Sequence, residues 1–105
     1  MAITEITVEE FEGRINDTEE PVLVEFYSTE CGPCNALRPV ICELADEADG
    51  YRIYSIEAKD AAELTDRYNI MSLPTILFFK NGEVVKKTIG YRSKENLVSL
   101  INEYR

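Results

Sequence analysis

PVLVEFYSTECGPCNALRPVICELA, residues 21–45, holds two different periodicities back to back. Pro21 to Ser28 is a near-continuous apolar run of strand length, which suits a central strand covered on both faces. From Pro33 to about Ala48 the period changes to that of a helix. Leu37, Ile41, Leu44, Ala45 and Ala48 then form one stripe. Pro39 lies inside that helix and predicts a kink. Cys31-Gly32-Pro33-Cys34 occupies the junction where strand gives way to helix.

Outward from this unit the chain keeps alternating. Thr4 to Thr7 reads as a short first strand. A helix follows from Thr7 or Val8, with Phe11 and Ile15 on one face and Thr7 with Glu10 as a capping box. Asn16 to Pro21 is a polar loop. Downstream, Arg52 to Ala58 is a strand, Asp60 to Tyr68 a short helix and Thr75 to Phe79 another strand. Asn81-Gly82 marks a two-residue hairpin turn, and Glu83 to Ile89 is the returning strand. Ser93 caps the last helix, Lys94 to Tyr104, whose Leu97, Leu100, Ile101 and Tyr104 face the core. The order β-α-β-α-β-α-β-β-α demands parallel pairing through right-handed crossovers at first and an antiparallel hairpin at the end. The expected product is an α/β fold: a mixed sheet of about five strands between layers of about four helices in all.

The chain has 105 residues, 45% hydrophobic and 30% charged. That length predicts one domain over residues 1–105. A chain of this size buries roughly two thirds of the surface its unfolded form exposes, enough for a core without metals or structural disulfides. No apolar run approaches the ~20 residues of a membrane span. MAITEITVEE carries no basic stretch followed by an apolar run, so no secretory signal is expected there. Eleven Lys and Arg against twenty Asp and Glu leave a net charge of −9. Such a surface repels phosphate backbones and anionic membranes, so neither nucleic acid nor membrane is an expected partner. There is no His. That removes His-based acid–base catalysis, Cys–His triads and most zinc sites together.

Three cysteines, Cys31, Cys34 and Cys42, fall within twelve positions. An odd, crowded set is no secreted disulfide framework, and it points to a reducing compartment, the cytoplasm. Cys31 and Cys34 form a Cys-x-x-Cys pair beside a β-α-β pattern, which reads as a redox motif. Residues three apart in the first helical turn are neighbours within disulfide reach. Pro33 is preset for a helix start. The first cysteine then meets unpaired backbone N–H groups and the positive end of the helix dipole, which favour thiolate. Half of a zinc or iron–sulfur site is the competing reading, but it needs two more soft ligands and only Cys42 remains. No metal and no cofactor are expected. Cys42 lies off the helix stripe and two turns from Cys34, roughly 12 Å along the axis, beyond disulfide reach.

VLVEFYSTECGPC, Pro39, YNIMSLPTILFFKNGE and the glycine of TIGYRS together resemble the thioredoxin family along nearly the whole chain. The resemblance implies the thioredoxin fold and a protein-disulfide reductase. It implies that Cys31 attacks, that Cys34 resolves, and that Pro74, facing the dithiol, follows a cis bond. It also implies a shallow apolar substrate surface from Gly32, Pro33, Leu73, Ile89 and Gly90. There the backbone of Leu73 would pair with an extended substrate as an added strand. A reductase of the thioredoxin-reductase type would supply electrons, because the chain has no Gly-rich nucleotide fingerprint of its own. The expected partners are therefore disulfide-containing proteins and that donor, met by a monomer.

Glu25 interrupts the apolar run on the strand face shared by Leu23 and Tyr27. A carboxyl buried there has a raised pKa and exchanges protons near neutrality. The family usually places Asp at this position as proton acceptor for the resolving cysteine, so the resemblance makes Glu25 the proton shuttle. Two departures stand out. The family's usual Trp before CGPC is Glu30 here, leaving Tyr27 as the aromatic four positions before Cys31. The family's usual Lys near the carboxylate is Ser55, so the cation is missing. Glu30 adds a negative charge that opposes the helix N-terminus at Cys31. Two other classes of function compete: a thioredoxin-like adaptor whose dithiol is incidental, and a carrier holding a metal or cluster between two chains.

Overall fold

The computed structural model describes residues 3–105; Met1 and Ala2, which open the N-terminal segment, lie outside them. Strand β1 (Thr4–Glu5) leads into helix α1 (Val8–Asn16) and strand β2 (Val22–Tyr27). Helix α2 (Gly32–Asp46), strand β3 (Arg52–Glu57), a 3₁₀ turn (Ala58–Asp60) and helix α3 (Ala62–Arg67) follow. Strands β4 (Thr75–Lys80) and β5 (Glu83–Ile89) and helix α4 (Lys94–Glu103) complete the order. The sheet runs β1-β3-β2-β4-β5. β1, β3 and β2 pair in parallel, while β4 is antiparallel to both β2 and β5.

The alternation of side chains along the strands divides the core in two. Val22, Val24 and Phe26 of β2 point to one face, with Tyr54 and Ile56 of β3 and Leu77 and Phe79 of β4. Phe11 and Ile15 of α1 and Leu64 of α3 cover them. Leu23, Ile53, Ile76 and Phe78 point to the other face, under Leu37, Ile41 and Leu44 of α2 and Leu97 and Ile101 of α4. All six residues of β2 are buried, as a strand covered on both faces must be.

The local signals act as their chemistry requires. Thr7 accepts from the Glu10 amide while Glu10 accepts from the Thr7 amide, so the capping box of α1 is complete. Ser93 caps α4 by accepting from the Asn96 amide at 3.1 Å. Asn81 and Gly82 both adopt positive φ, 53° and 82°, which is what a two-residue turn between β4 and β5 needs.

Several element boundaries differ from the sequence reading, four of them with a physical cause. β1 stops at Glu5, because Thr7 is taken as the cap of α1. α2 ends at Asp46, which leaves Ala48 exposed beyond the stripe assigned to it. The helix expected from Asp60 is split: residues 58–60 form a 3₁₀ turn, and Ala61, at φ −135°, ends that turn before α3 begins. Ala61 is fully buried, so packing holds the break in place. α4 ends at Glu103, and Tyr104, its C-cap, lays its ring against Phe78 with centroids 6.4 Å apart.

Phe79 is fully buried and sits edge-on to both Phe11 (5.6 Å) and Tyr68 (5.7 Å). Phe79→Ala is expected to destabilise the fold by about 3–5 kcal/mol, the usual cost of truncating a core aromatic. Urea unfolding measures it. A loss near zero would mean that the α1/α3 layer collapses into the gap.

Candidate active site

Three segments meet at the end of β2. The first is the start of α2, with Cys31 as its N-cap and Gly32, Pro33 and Cys34 as its first turn. The second is the loop entering β4, where the Leu73–Pro74 bond is cis. The third is the exit from β5, where Gly90 takes a φ of +87° and donates its amide to the Pro74 carbonyl at 2.8 Å. A side chain at Gly90 would be strained by that backbone, although the space around it is open.

Both dithiol cysteines are free thiols, and their surroundings differ. Cys31 is partly exposed. Its sulfur accepts from the Cys34 amide at 3.2 Å, so it satisfies one of the orphan N–H groups of the α2 terminus. Its thiol also lies 3.6 Å from the Leu73 carbonyl, the acceptor that ties the dithiol to the β4 loop. Cys34 is 3% exposed. Burial above all pushes its pKa up to about 11; the hydrogen bond with Cys31 adds to this and a backbone hydrogen bond from Ser28 opposes it. The charges of Cys31 and Glu25 also reach Cys34 and raise it further.

Glu25 lies in the middle of β2, 1% exposed, on the α2 side of the sheet. Burial raises its pKa. The Ser55 hydroxyl, which donates to Glu25 Oε1 at 2.7 Å, and the Arg38 guanidinium pull it back down, while Glu5 pushes it up. Ser55 is thus a direct hydrogen-bond donor to the carboxyl, paired with it in register across β2 and β3. The cation expected to be missing is present: Arg38 of α2 brings Nη1 to 3.8 Å from Glu25 Oε1. Sequence reading missed Arg38 because it followed the sheet position and not the helix. The signal was its spacing, four residues after Cys34 and therefore on the same helix face.

Of the residues implied for substrate contact, Gly32 and Pro33 are exposed on the first turn of α2, and Ile89 is 54% exposed. Gly90 is half-buried beside them. Leu73 divides its parts: the side chain packs against the α1/α3 core, while the carbonyl faces Cys31. Glu30 is exposed, and its amide bonds back to Ser28 Oγ at 3.2 Å. Tyr27 is buried and donates its hydroxyl to Glu5. Cys42 is partly buried on α2, two turns beyond Cys34.

A vicinal dithiol at a helix N-terminus, beside a cis-proline loop on a β1-β3-β2-β4-β5 sheet, defines the class of thioredoxin-fold dithiol proteins. The thioredoxin family profile matches residues 2–103. A thioredoxin of Staphylococcus epidermidis is 36% identical over 105 residues, 99% of each chain. A thioredoxin of Staphylococcus aureus is 33% identical over the same span. The chloroplastic M-type thioredoxin of Spinacia oleracea is 43% identical over 89 residues, 84% of this chain and 49% of its own. The chain belongs to the thioredoxin family. It is a thiol–disulfide oxidoreductase that acts on disulfide-containing substrates and is itself reduced by a reductase.

The raised pKa of Glu25 makes stability depend on pH with a definite sign. At pH below the ordinary value of 4.5 the folded and unfolded chains both hold the proton, and the carboxyl carries no penalty. As pH rises through the raised folded value, the unfolded chain has already released its proton while the folded chain resists, so stability falls. Glu25→Gln does not titrate. The stability of the parent chain relative to this variant should therefore decline across the mildly acidic range and level off above it. Urea unfolding of both proteins at a series of pH values checks this. A flat difference would place the Glu25 carboxyl in the ordinary range.

Proposed function

We propose that the chain reduces protein disulfides with Cys31 as nucleophile, Cys34 as resolving thiol and Glu25 as proton acceptor. The supporting observation is the contrast within one helical turn. Cys31 is partly exposed and held by a backbone N–H, whereas Cys34 is sealed and strongly protonated. Cys31 thiolate attacks a substrate disulfide, forming a mixed disulfide and releasing the first substrate sulfur as thiolate. Cys34 then gives its proton to the Glu25 carboxylate and attacks the Cys31 sulfur. The bond between Cys31 and the substrate breaks, the Cys31–Cys34 bond forms, and the second substrate sulfur leaves. Two electrons have passed to the substrate. A reductase of the thioredoxin-reductase type returns them by the reverse sequence.

Gly32, Pro33, Leu73, Ile89 and Gly90, with Pro74 holding the loop, form the docking surface. The Leu73 carbonyl beside Cys31 leaves that backbone placed to pair with an extended substrate, a contact indifferent to side chains and so to target identity. One chain supplies every residue of the site, so the protein works as a monomer and as one domain over residues 1–105. A dithiol with a third free cysteine belongs in a reducing cytoplasm.

Alkylation of the reduced protein at neutral pH should label Cys31 first and leave Cys34 largely untouched. Cys34→Ser should trap mixed disulfides with target proteins from a lysate, and Cys31→Ser should trap none. Preferential labelling of Cys34, or equal trapping by the two variants, would reverse the assignment.

A further inference from the structure

The buried carboxyl of Glu25 has a cation beside it, and the cation comes from the same helix as the dithiol. Arg38 lies one turn after Cys34 on α2. Its guanidinium stacks over the Tyr27 ring, with Cζ 4.6 Å from the centroid. Nη1 stands 3.8 Å from Glu25 Oε1 and donates to Ser55 Oγ at 3.3 Å. Nη2 reaches Glu5 Oε2 at 3.4 Å, and the Tyr27 hydroxyl donates to that same oxygen. One planar group therefore joins β1, β2 and β3. Its forked shape makes this possible, because one nitrogen serves the buried side and another the surface, which a single ammonium point cannot reproduce.

We infer that Arg38 is a positioning residue for the dithiol chemistry: it holds the buried Glu25 carboxyl as an anion, oriented through Ser55, ready to take the Cys34 proton. This rests on the reading of Glu25 as proton acceptor. The Ser55 hydroxyl has one proton. Because it accepts from Arg38, that proton is directed at Glu25, so the guanidinium orients the hydroxyl as well as balancing the charge. Every element packed around Glu25 contributes. α2 presents Arg38 and Cys34, β3 presents Ser55, β1 presents Glu5, and β2 itself presents Tyr27. On β4 the residue paired with Glu25 is the apolar Ile76. Among these, Arg38 carries the positive charge, and it opposes burial and Glu5 together. Its side chain is 33% exposed, so solvent screens part of the interaction, but the carboxyl it faces is 1% exposed.

In the resolving step the Cys34 S–H proton passes to the Glu25 carboxylate while the Cys34 sulfur bonds to Cys31 and the substrate sulfur leaves with the electron pair. The reaction requires the carboxylate to be ionised beforehand. Without Arg38, burial and Glu5 would favour the protonated form, leaving less carboxylate ready to accept the proton.

The test uses the full chain with Arg38→Met, which keeps the stem on Tyr27, and Arg38→Lys, which keeps the charge. Arg38→Gln, with a donor for Ser55 but no charge, serves as the second neutral variant where Met disturbs folding. Carbon NMR of the labelled Glu25 carboxyl reads its titration directly. Stopped-flow resolution of a preformed mixed disulfide reads the chemistry against pH. In the neutral variants the Glu25 titration should move to higher pH. Resolution at neutral pH should slow by roughly three- to tenfold, with the pH profile displaced the same way. Arg38→Lys, which restores the charge but not the fork, should recover only part of both. An unmoved Glu25 titration in both neutral variants overturns the inference. A titration that moves while the resolution profile stays put supports the hold of Arg38 on the carboxyl and overturns Glu25 as proton acceptor.

Discussion

A strand covered on both faces has no wet side on which to place a charge, and β2 carries Glu25 at its centre. An ionised carboxylate in that position is tolerated only if it is paired and hydrogen-bonded. Much of the molecule is arranged around that requirement. β3 lies in parallel register so that Ser55 stands opposite Glu25. α2 crosses above so that Arg38 reaches the same oxygen from the helix side. Glu5 at the surface and the buried ring of Tyr27 hold the guanidinium in place.

The dithiol sits on the same helix, and its asymmetry comes from one turn of geometry. Cys31, as N-cap, precedes the helix and meets the amide of Cys34. Cys34, three residues on, already points into the protein. Two identical side chains thus acquire opposite surroundings, one partly exposed and one buried. Glu25 deepens the difference, because its negative charge disfavours a thiolate at Cys34. α2 therefore brings the dithiol at its first turn and the cation at its second to one buried acid.

Charge sets the outer conditions. The chain carries −9 overall, and Glu30 adds an exposed carboxylate directly before Cys31. Several positive side chains form ion pairs at the surface, such as Lys94 with Glu43 and Glu47, and Arg67 with Glu12. Those exposed pairs contribute little stability each, whereas the Arg38 cluster faces a dry carboxyl.

Local signals in the sequence determined the element order, the capped starts of α1 and α4, the Asn81-Gly82 turn and the position of the dithiol, because each depends on residues within a few positions of one another. The thioredoxin family was legible in CGPC and the Pro74 segment for the same reason. The ends of elements were less legible. Ala48 continues the helical period but lies past the last turn, and Ala61 breaks a helix because it is packed, not because it is a poor helix former. The strand order, with β2 between a parallel β3 and an antiparallel β4, was decided by burial of two opposite faces at once. The partner of Glu25 was likewise a tertiary matter. Thirteen positions and a sheet-to-helix crossing separate it from Arg38, so the pair exists only where the packing of α2 on the sheet aims one side chain at the other.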